Sequence, residues 1–190
     1  MKAIRMYTKK GDFGTSTTLR SKQRLFKCAD LFEALGSVDE LNALLGLCKV
    51  KAAILVSNEI NLKNIIHSLQ EQLFTVQAEL AGADFSLNED AVDNCESLIA
   101  DIAKILPPIT SFFIPGGSEL SALLDYARTV CRRAERSIIK AETSHEITVG
   151  ENTKQFINRL SSVLYALTRW VNYQNEVTEI GPSYTNATKN

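Results

Sequence analysis

Apolar side chains recur every three or four residues along five long stretches of this chain. That spacing places them on one face of an α-helix, which turns through about 100° per residue. The first stretch begins at Asp30, a residue type that caps helices, and continues to Cys48. The other four run from about Ile60 to Ala83, from Val92 to Leu106, from Leu120 to Ala141 and from Phe156 to Val171. The pattern predicts five amphipathic helices.

Short segments of proline or polar residues separate these stretches. Pro107 and Pro108 end the third, and a polar segment from Thr143 to Asn152 follows the fourth. No stretch shows the alternation typical of a strand, so the fold class predicted is all-α, a five-helix antiparallel bundle. A chain of 190 residues that is 45% hydrophobic can form one core. The predicted single domain comprises an N-terminal loop (1–29), the bundle (30–180) and a mobile tail (181–190).

The fourth predicted helix has a defined start and a cationic flank. An apolar lead-in, Phe112 to Ile114, stops at Pro115 and two glycines, after which Ser118 is placed as the N-cap. Four arginines and no lysine lie between Leu120 and Ile139. One interpretation is a solvated face with weak ion pairs. The other is a site for a polyphosphate or a partner carboxylate, because arginine binds both in a bidentate manner.

The loop before the first helix has the composition of a phosphate-binding segment. Two glycines, two lysines and several hydroxyl residues lie between Tyr7 and Thr18. Glycines let backbone amides approach a ligand, and lysines neutralise its charge. The spacing of a Walker A loop is absent, so an ordinary polar loop is the alternative. Further basic residues continue toward the first helix: Arg20, Lys22, Arg24 and Lys27.

Three other polar residues lie beside predicted apolar stripes. Asp39, at the edge of the first stripe, either pairs with an arginine or faces water. Asn158 and Arg159, on the fifth helix, either contact a ligand or form a hydrogen bond between helices. The residues alone leave both alternatives open.

Composition excludes several classes of function. The formal charge of −1 argues against nucleic acid as a partner. The histidines and cysteines lack the spacing of a zinc site, so no metal held by protein side chains is expected. Cys48 and Cys131 fall on apolar stripes, as small core residues of a reducing compartment do. No apolar run approaches the roughly 20 residues that a membrane helix needs, and a cytoplasmic protein is predicted.

Five sequence blocks together resemble the PduO-type ATP:cob(I)alamin adenosyltransferases. These blocks stand in the family's order and span nearly the whole chain: Tyr7–Gly14, Val38–Asn42, Phe112–Gly117, Ala127–Arg136 and Phe156–Ser161. The resemblance implies a homotrimer of five-helix bundles, with active sites between subunits. It also implies transfer of the 5′-deoxyadenosyl group of ATP to cob(I)alamin, with release of triphosphate. An adenosylcobalamin-binding and delivery module with little catalysis is the alternative.

The resemblance also assigns roles to individual residues. Phe112 stands under the corrin ring and displaces the lower axial ligand of cob(II)alamin, while Asp39 and Arg128 pair across a subunit boundary on the corrinoid side. Arg132 joins these three in the catalytic set. The residues that match ATP-binding positions are Thr8, Lys9, Lys10, Gly11, Ser16, Lys27, Arg132, Arg133, Glu135, Arg136 and Asn158.

The implied accessory components are a magnesium ion carried by ATP, a flavoprotein reductase as electron donor, and a cobalamin-dependent enzyme that receives the product. The chain departs from the commoner family pattern at two places, which comprise three residues. Phe13 replaces a frequent lysine, and Cys28 with Ala29 replaces an acidic pair. Both departures lie in the ATP loop, so its affinity for ATP is left open.

Overall fold

A computed structural model describes residues 7–19, 23–53 and 60–185. The helices of this part of the chain are α1 (Asp30–Ala52), α2 (Leu62–Leu80), α3 (Glu89–Ile105), α4 (Glu119–Thr143) and α5 (Glu151–Gln174). They confirm the predicted five-helix bundle. Among the described residues, the fold departs from an all-helical one only in the N-terminal loop, where β1 (Thr15–Ser16) pairs antiparallel with β2 (Leu25–Phe26).

The two most extensive helix contacts of the bundle join α4 to α1 and to α5, and α2 and α3 pack on α1 and α5 respectively. Ion pairs at both ends show that α1 and α4 are antiparallel. Lys140, near the end of α4, lies 2.7 Å from Asp30 at the start of α1. At the opposite end, Lys51 of α1 lies 2.7 Å from Glu119, the first residue of α4.

Helices α3 and α5 run parallel, unlike the α1–α4 pair. Asn152, at the start of α5, donates to the carbonyl oxygen of Leu87, just before α3. Arg169, near the end of α5, donates to the carbonyl oxygen of Pro107, just after α3. The predicted bundle therefore contains a parallel contact, which the long connection from α3 to α4 and the return of α5 make possible.

The core lies along the inner faces of the helices. The largest side chains that are fully buried include Trp170, Phe156, Leu41, Leu45, Ile66 and Leu73. Cys48, Cys95 and Cys131 are also buried, as the apolar stripes predicted for Cys48 and Cys131. Burial raises the pKa of the Cys131 thiol to about 12 and that of the other two to about 11.

The start of α4 agrees with the prediction, whereas that of α1 does not. Ser118 and Ser121 form a capping box, in which each side chain accepts from the other residue's backbone amide. Asp30 does not cap α1, because its carboxylate binds Lys140 and the hydroxyl of Ser144. The Glu146 carboxylate instead accepts from the backbone amide of Leu31 at 2.6 Å, so α1 is capped from the connection between α4 and α5.

The chain after α5 folds back along the segment that leads into α4. The amide of Ile114 donates to the carbonyl oxygen of Ile180 at 2.8 Å. The predicted tail begins one residue later, and its last five residues, 186–190, lie outside the described part of the chain. Among the described helices, none combines the length and hydropathy needed to cross a membrane.

Candidate functional site

A cleft of about 670 Å³ opens between α4, α5 and the segment from Ile109 to Phe113. Its walls bring together three of the four residues predicted for the catalytic set, Phe112, Arg128 and Arg132. The packing of α4 on α5 fixes the two helical walls of the cleft. The helical repeat places the two arginines one turn apart on the same flank of α4. The cleft therefore combines an aromatic rim with a cationic wall.

Phe112 has 81% of its surface exposed, although it lies between segments that are packed. Its neighbour Phe113 is half-buried, with its ring 5.3 Å from the guanidinium carbon of Arg169. On the other side, Ile114 is held by its hydrogen bond to Ile180. The position of the Phe112 ring is thus set by its neighbours in sequence and not by its own burial.

Asp125 is a member of the cleft that the sequence analysis missed. This carboxylate is buried, and its Oδ1 atom accepts from Nε of Arg128 at 2.5 Å. The spacing of three residues between an acid and an arginine on one helix was the available signal. What the spacing did not show is that the pair faces a cleft, which depends on how α5 packs against α4.

The predicted nucleotide-binding flank of α4 has contacts of two kinds. Asn158 of α5 donates to Glu135 at 2.8 Å, and Arg159 donates both to Asn158 and to Glu96 of α3. Asn158 and Arg159 thus both form hydrogen bonds between helices, and the predicted ATP contact of Asn158 stays a prediction. In the part of the chain that the structure describes, the guanidinium of Arg132 makes no hydrogen bond, and it lines the cleft.

Arg136 donates from Nη1 to the carbonyl oxygen of Arg132 at 3.0 Å, so its side chain lies along the same flank of α4. Arg133 points toward α1 instead, where its Nη2 atom lies 2.5 Å from Oε2 of Glu40. The Glu40 carboxylate raises the pKa of the Arg133 guanidinium. Arg132 and Arg133 are adjacent in sequence, but Arg132 lines the cleft and Arg133 contacts α1.

Asp39 and Arg128 have separate partners within one chain. Asp39 is exposed on α1 and accepts from the side-chain amide of Gln77 at 3.3 Å. Arg128 binds Asp125 on the far side of the bundle. The predicted pairing of Asp39 with Arg128 concerns two subunits, and a single chain does not test it.

The N-terminal loop is stabilised chiefly by Arg24. Its Nε atom donates to the hydroxyl of Thr15 at 2.8 Å, and its Nη2 atom donates to the carbonyl oxygens of Thr15 and Lys10. Arg24 was assigned only a general positive charge from the sequence. The structure gives it a defined contact, since it ties both ends of the predicted phosphate-binding turn together.

Close contacts and backbone conformation explain why two positions of this loop are glycines. A side chain at Gly11 would approach the ammonium nitrogen of Lys27 to 3.0 Å, and Gly14 has a φ of 74°. Lys9, with a φ of 60°, adopts the same left-handed region. The amide of Lys10 donates to the Thr8 hydroxyl at 3.4 Å. Thr8, Lys9, Lys10 and Gly11 are therefore grouped in one turn, which the Lys27 side chain approaches from the end of β2, with Ser16 in the adjoining strand β1.

This turn is separate from the cleft within one chain. Residues that follow it, including Thr18 and Leu25, border a second cavity together with His145 and Ile147 of the connection between α4 and α5. Arg132 borders the cleft with Phe112 instead. Arg20 and Lys22, the other basic residues predicted here, lie outside the described residues.

No group of three or more potential metal ligands occurs among residues 7–19, 23–53 and 60–185. Partial burial raises the pKa of Tyr165, which lines the cleft; Arg169 lowers it, and the carboxylates of Glu179 and Asp125 raise it further. The cleft supplies guanidinium groups and hydroxyls, which can bind anions, beside the Asp125 carboxylate.

Comparison with known proteins gives a consistent result. The sequence profile of the cobalamin adenosyltransferase family matches residues 6–171. The corrinoid adenosyltransferase PduO of Salmonella typhimurium is 37% identical over 171 residues, which are 86% of this chain and 48% of that protein. The corrinoid adenosyltransferase of Mycobacterium leprae is 33% identical over 184 residues, covering 91% of this chain and 94% of the relative.

A solved structure has the same fold. A variant PduO-type ATP:corrinoid adenosyltransferase from Lactobacillus reuteri, complexed with cobalamin and ATP, superposes with a TM-score of 0.84 and 30% sequence identity over 94% of this chain and 97% of that one. The present chain spans about half the length of the Salmonella and Citrobacter relatives, 48% and 49%. It spans nearly all of the mycobacterial relative and of the Lactobacillus structure.

Proposed function

The chain belongs to the cobalamin adenosyltransferase family, and from that membership we propose that it transfers the 5′-deoxyadenosyl group of ATP to cob(I)alamin. The products are adenosylcobalamin and triphosphate. One observation carries the proposal: a single cleft joins an exposed aromatic ring, Phe112, to the two arginines Arg128 and Arg132. The names of the relatives, and the cobalamin and ATP of the Lactobacillus complex, support it.

The reaction makes one bond and breaks one. The cobalt(I) electron pair attacks the 5′ carbon of the ribose, a Co–C bond forms, and the C5′–O bond breaks with its electrons leaving on triphosphate. The nucleophile belongs to the substrate, which accounts for an enzyme that needs no reactive Cys or His. The protein has two tasks: to align the 5′ carbon with cobalt and to stabilise the charge of the leaving group.

We propose that the ATP site combines the N-terminal turn with the cationic flank of α4. Backbone amides and lysines of the turn would hold the triphosphate. The guanidinium of Arg132, which has no hydrogen-bond partner among the described residues, is available for a bidentate contact with a phosphate. Arg133 would divide its donors between Glu40 and the nucleotide. The remaining members of the proposed set are Thr8, Lys9, Lys10, Gly11, Ser16, Lys27, Glu135, Arg136 and Asn158.

On the corrinoid side, Phe112 would face the lower surface of the cobalt. A phenyl ring offers no lone pair for coordination, so it leaves cob(II)alamin without a lower ligand. Removing that ligand makes cobalt easier to reduce, because the electron-donating axial interaction is lost. The exposure of Phe112 fits this role, since a ring that is 81% exposed in the free protein is free to contact a ligand.

We propose a homotrimer in which each active site lies between two subunits. The turn that carries Thr8 to Gly11 and the cleft that carries Arg132 are separate within one chain, so a second subunit would have to complete the site. Arg128 gives Nε to Asp125, which leaves its two Nη groups for Asp39 of a neighbouring subunit. Light scattering of the purified protein tests this, and a monomer that retains full activity would contradict it.

The remaining components are proposed by inference from the chemistry. Mg²⁺ would accompany the triphosphate, because this ion is commonly bound through phosphate oxygens of a substrate. A flavoprotein reductase would supply the electron, and a cobalamin-dependent enzyme would receive the product. A cytoplasmic location agrees with four unpaired cysteines.

Anaerobic incubation with ATP and chemically reduced cobalamin tests the proposed reaction. The expected products are light-sensitive adenosylcobalamin and free triphosphate in equal amounts. Release of ADP or diphosphate instead would indicate a different nucleotide enzyme. Tight binding of adenosylcobalamin without turnover would contradict the proposal and favour the delivery module.

A further inference from the structure

Arg169 of α5 joins three segments at the end of the bundle that bears Phe112. Its Nε atom donates to Oε2 of Glu179 at 2.9 Å, and Nη2 donates to the carbonyl oxygen of Pro107 at 3.1 Å. The guanidinium also lies over the ring of Phe113, 5.3 Å from its centroid. One side chain thus contacts the end of α3, the segment before α4 and the segment after α5.

This ion pair is withdrawn from water. The side chains of Arg169 and Glu179 are only 7% and 16% exposed. Removing both charges from water costs much of what their attraction contributes, so a buried pair is weak evidence for stability alone. The alternative benefit of such a pair is conformational: it specifies one arrangement of the segments that it joins.

Further contacts hold the segment before α4 and the segment after α5 to each other and to α5. Ile114 donates its amide to the carbonyl oxygen of Ile180, and Asn172 donates its side-chain amide to Glu179 at 3.5 Å. A side chain at Gly117 would approach the side-chain Oδ1 atom of Asn172 to 2.5 Å, which shows how closely the segment approaches α5. The contacts surround residues 112–117 without involving the Phe112 ring.

We propose that Arg169 is a positioning residue for Phe112, acting through Phe113 and Glu179. Phe112 is 81% exposed and cannot fix its own place by packing, whereas its neighbour Phe113 is held against the buried guanidinium. Arg169 does not border the cleft that holds Phe112 and Arg132 but lines an adjoining cavity, so a role through its neighbours fits its position. The inference rests on the proposed function, because it assigns the Arg169 contacts a purpose in the corrinoid step.

Two variants separate this role from simple stabilisation. Arg169→Lys keeps the positive charge, but a single ammonium replaces a fork that reaches both Glu179 and Pro107. Glu179→Gln keeps the shape of its side chain and the arginine, and removes only the opposing charge. Lys154→Gln is the matched control, because it removes another partly buried ion pair of α5, that with Glu142 at 3.4 Å.

The measurement compares two starting materials. In reactions that begin with cob(II)alamin and a reductant, both variants should lose roughly 10- to 100-fold in kcat, as expected when a reacting group is displaced by about 1 Å. With excess preformed cob(I)alamin the loss should be much smaller, and the KM for ATP should stay within about twofold of wild type. Hydrogen exchange at the Ile114 amide should become faster in the variants and not in the control.

Equal losses from both starting materials, or a large rise in the KM for ATP, would show a merely structural role and overturn the inference. Variants that fold and react like wild type would also overturn it. Failure of the proposed function has a different signature, since wild type itself would then form no adenosylcobalamin. If Arg169→Lys is unstable, Glu179→Gln provides the test, because Arg169 in that variant still donates to the carbonyl oxygen of Pro107.

Discussion

Arg128 donates from Nε to Oδ1 of Asp125 at 2.5 Å, and both side chains line the cleft beside Phe112. The two residues are one helical turn apart on α4, with 9% of the Asp125 side chain and 27% of that of Arg128 exposed. A buried carboxylate of this kind fixes the plane of the guanidinium. Arg128 therefore presents a defined pair of Nη groups to whatever enters the cleft or adjoins it.

Replacement of this carboxylate should weaken the corrinoid side of the site. In Asp125→Ala, Arg128 loses a charge-assisted hydrogen bond, a type that contributes roughly 1.5–3 kcal/mol. We expect kcat/KM for cobalamin to fall about tenfold or more, with the KM for ATP little changed. Steady-state kinetics with each substrate varied in turn measure this. Thr129→Ala, at an exposed position of the same helix, is the control, and a matching loss there would refute the assignment.

Removal of the Phe112 ring should impair reduction-dependent turnover without destabilising the fold. The ring is 81% exposed, so Phe112→Ala removes little buried surface and should leave the melting temperature nearly unchanged. Turnover from cob(II)alamin should fall roughly 100-fold, and ATP affinity much less. Spectroscopy of cob(II)alamin with protein and ATP should lose the species without a lower ligand. Phe85→Ala, at a comparably exposed ring in the connection before α3, should retain that species.

A conservative exchange at Arg132 should nevertheless reduce nucleotide binding. Lysine keeps the charge but replaces a planar fork with a point charge, so a bidentate phosphate contact is lost. In Arg132→Lys we expect the KM for ATP to rise about tenfold, equivalent to ~1.4 kcal/mol. Kinetics with ATP varied at saturating cob(I)alamin provide the measurement. Lys104→Arg is a control for the exchange at an exposed ion pair, and wild-type kinetics for Arg132→Lys would remove Arg132 from the site.

The Asp30 carboxylate should make stability depend on pH. Hydrogen bonds from Lys140 and Ser144 lower its pKa below the ordinary value of 3.8. A lowered folded-state pKa stabilises the protein above 3.8, and this contribution disappears as pH falls through the lower folded value. Asp30→Asn should thus reduce the melting temperature at neutral pH, and the reduction should be smaller at about pH 3. Melting curves at both pH values decide, with Asp101→Asn as the control. An equal difference at both would contradict the mechanism.

Cys28 should be the one thiol that reacts rapidly in the folded protein. It is exposed next to Lys27, whereas burial raises the pKa of Cys48, Cys95 and Cys131 to about 11 or 12. A disulfide reagent at neutral pH should label about one thiol before unfolding and four after it. ATP should slow the native reaction, because Cys28 adjoins the proposed triphosphate loop. Cys28→Ser should abolish it, and rapid native labelling of that variant would be the contrary result.

Several features of the site were accessible from local sequence alone. The Ser118 cap, the five helices and the grouping of Thr8 to Gly11 each depend on residues within a few positions of one another. Helical period and turn chemistry are local properties, so the pattern reveals them. The cap of α1 is a counterexample. Glu146 supplies it from 115 positions away, and no local rule relates that residue to Leu31.

The sequence determined where the helices lie, which faces they bury and which residues have the chemistry of phosphate binding. Tertiary structure alone decided that Asp125 and Arg128 face a shared cleft with Phe112, that Arg133 turns toward Glu40, and that Arg169 joins the chain after α5 to the Phe112 segment. The physical reason is that helical periodicity fixes the direction of a side chain only relative to its own axis. Which neighbour lies in that direction depends on the order and orientation in which the helices pack.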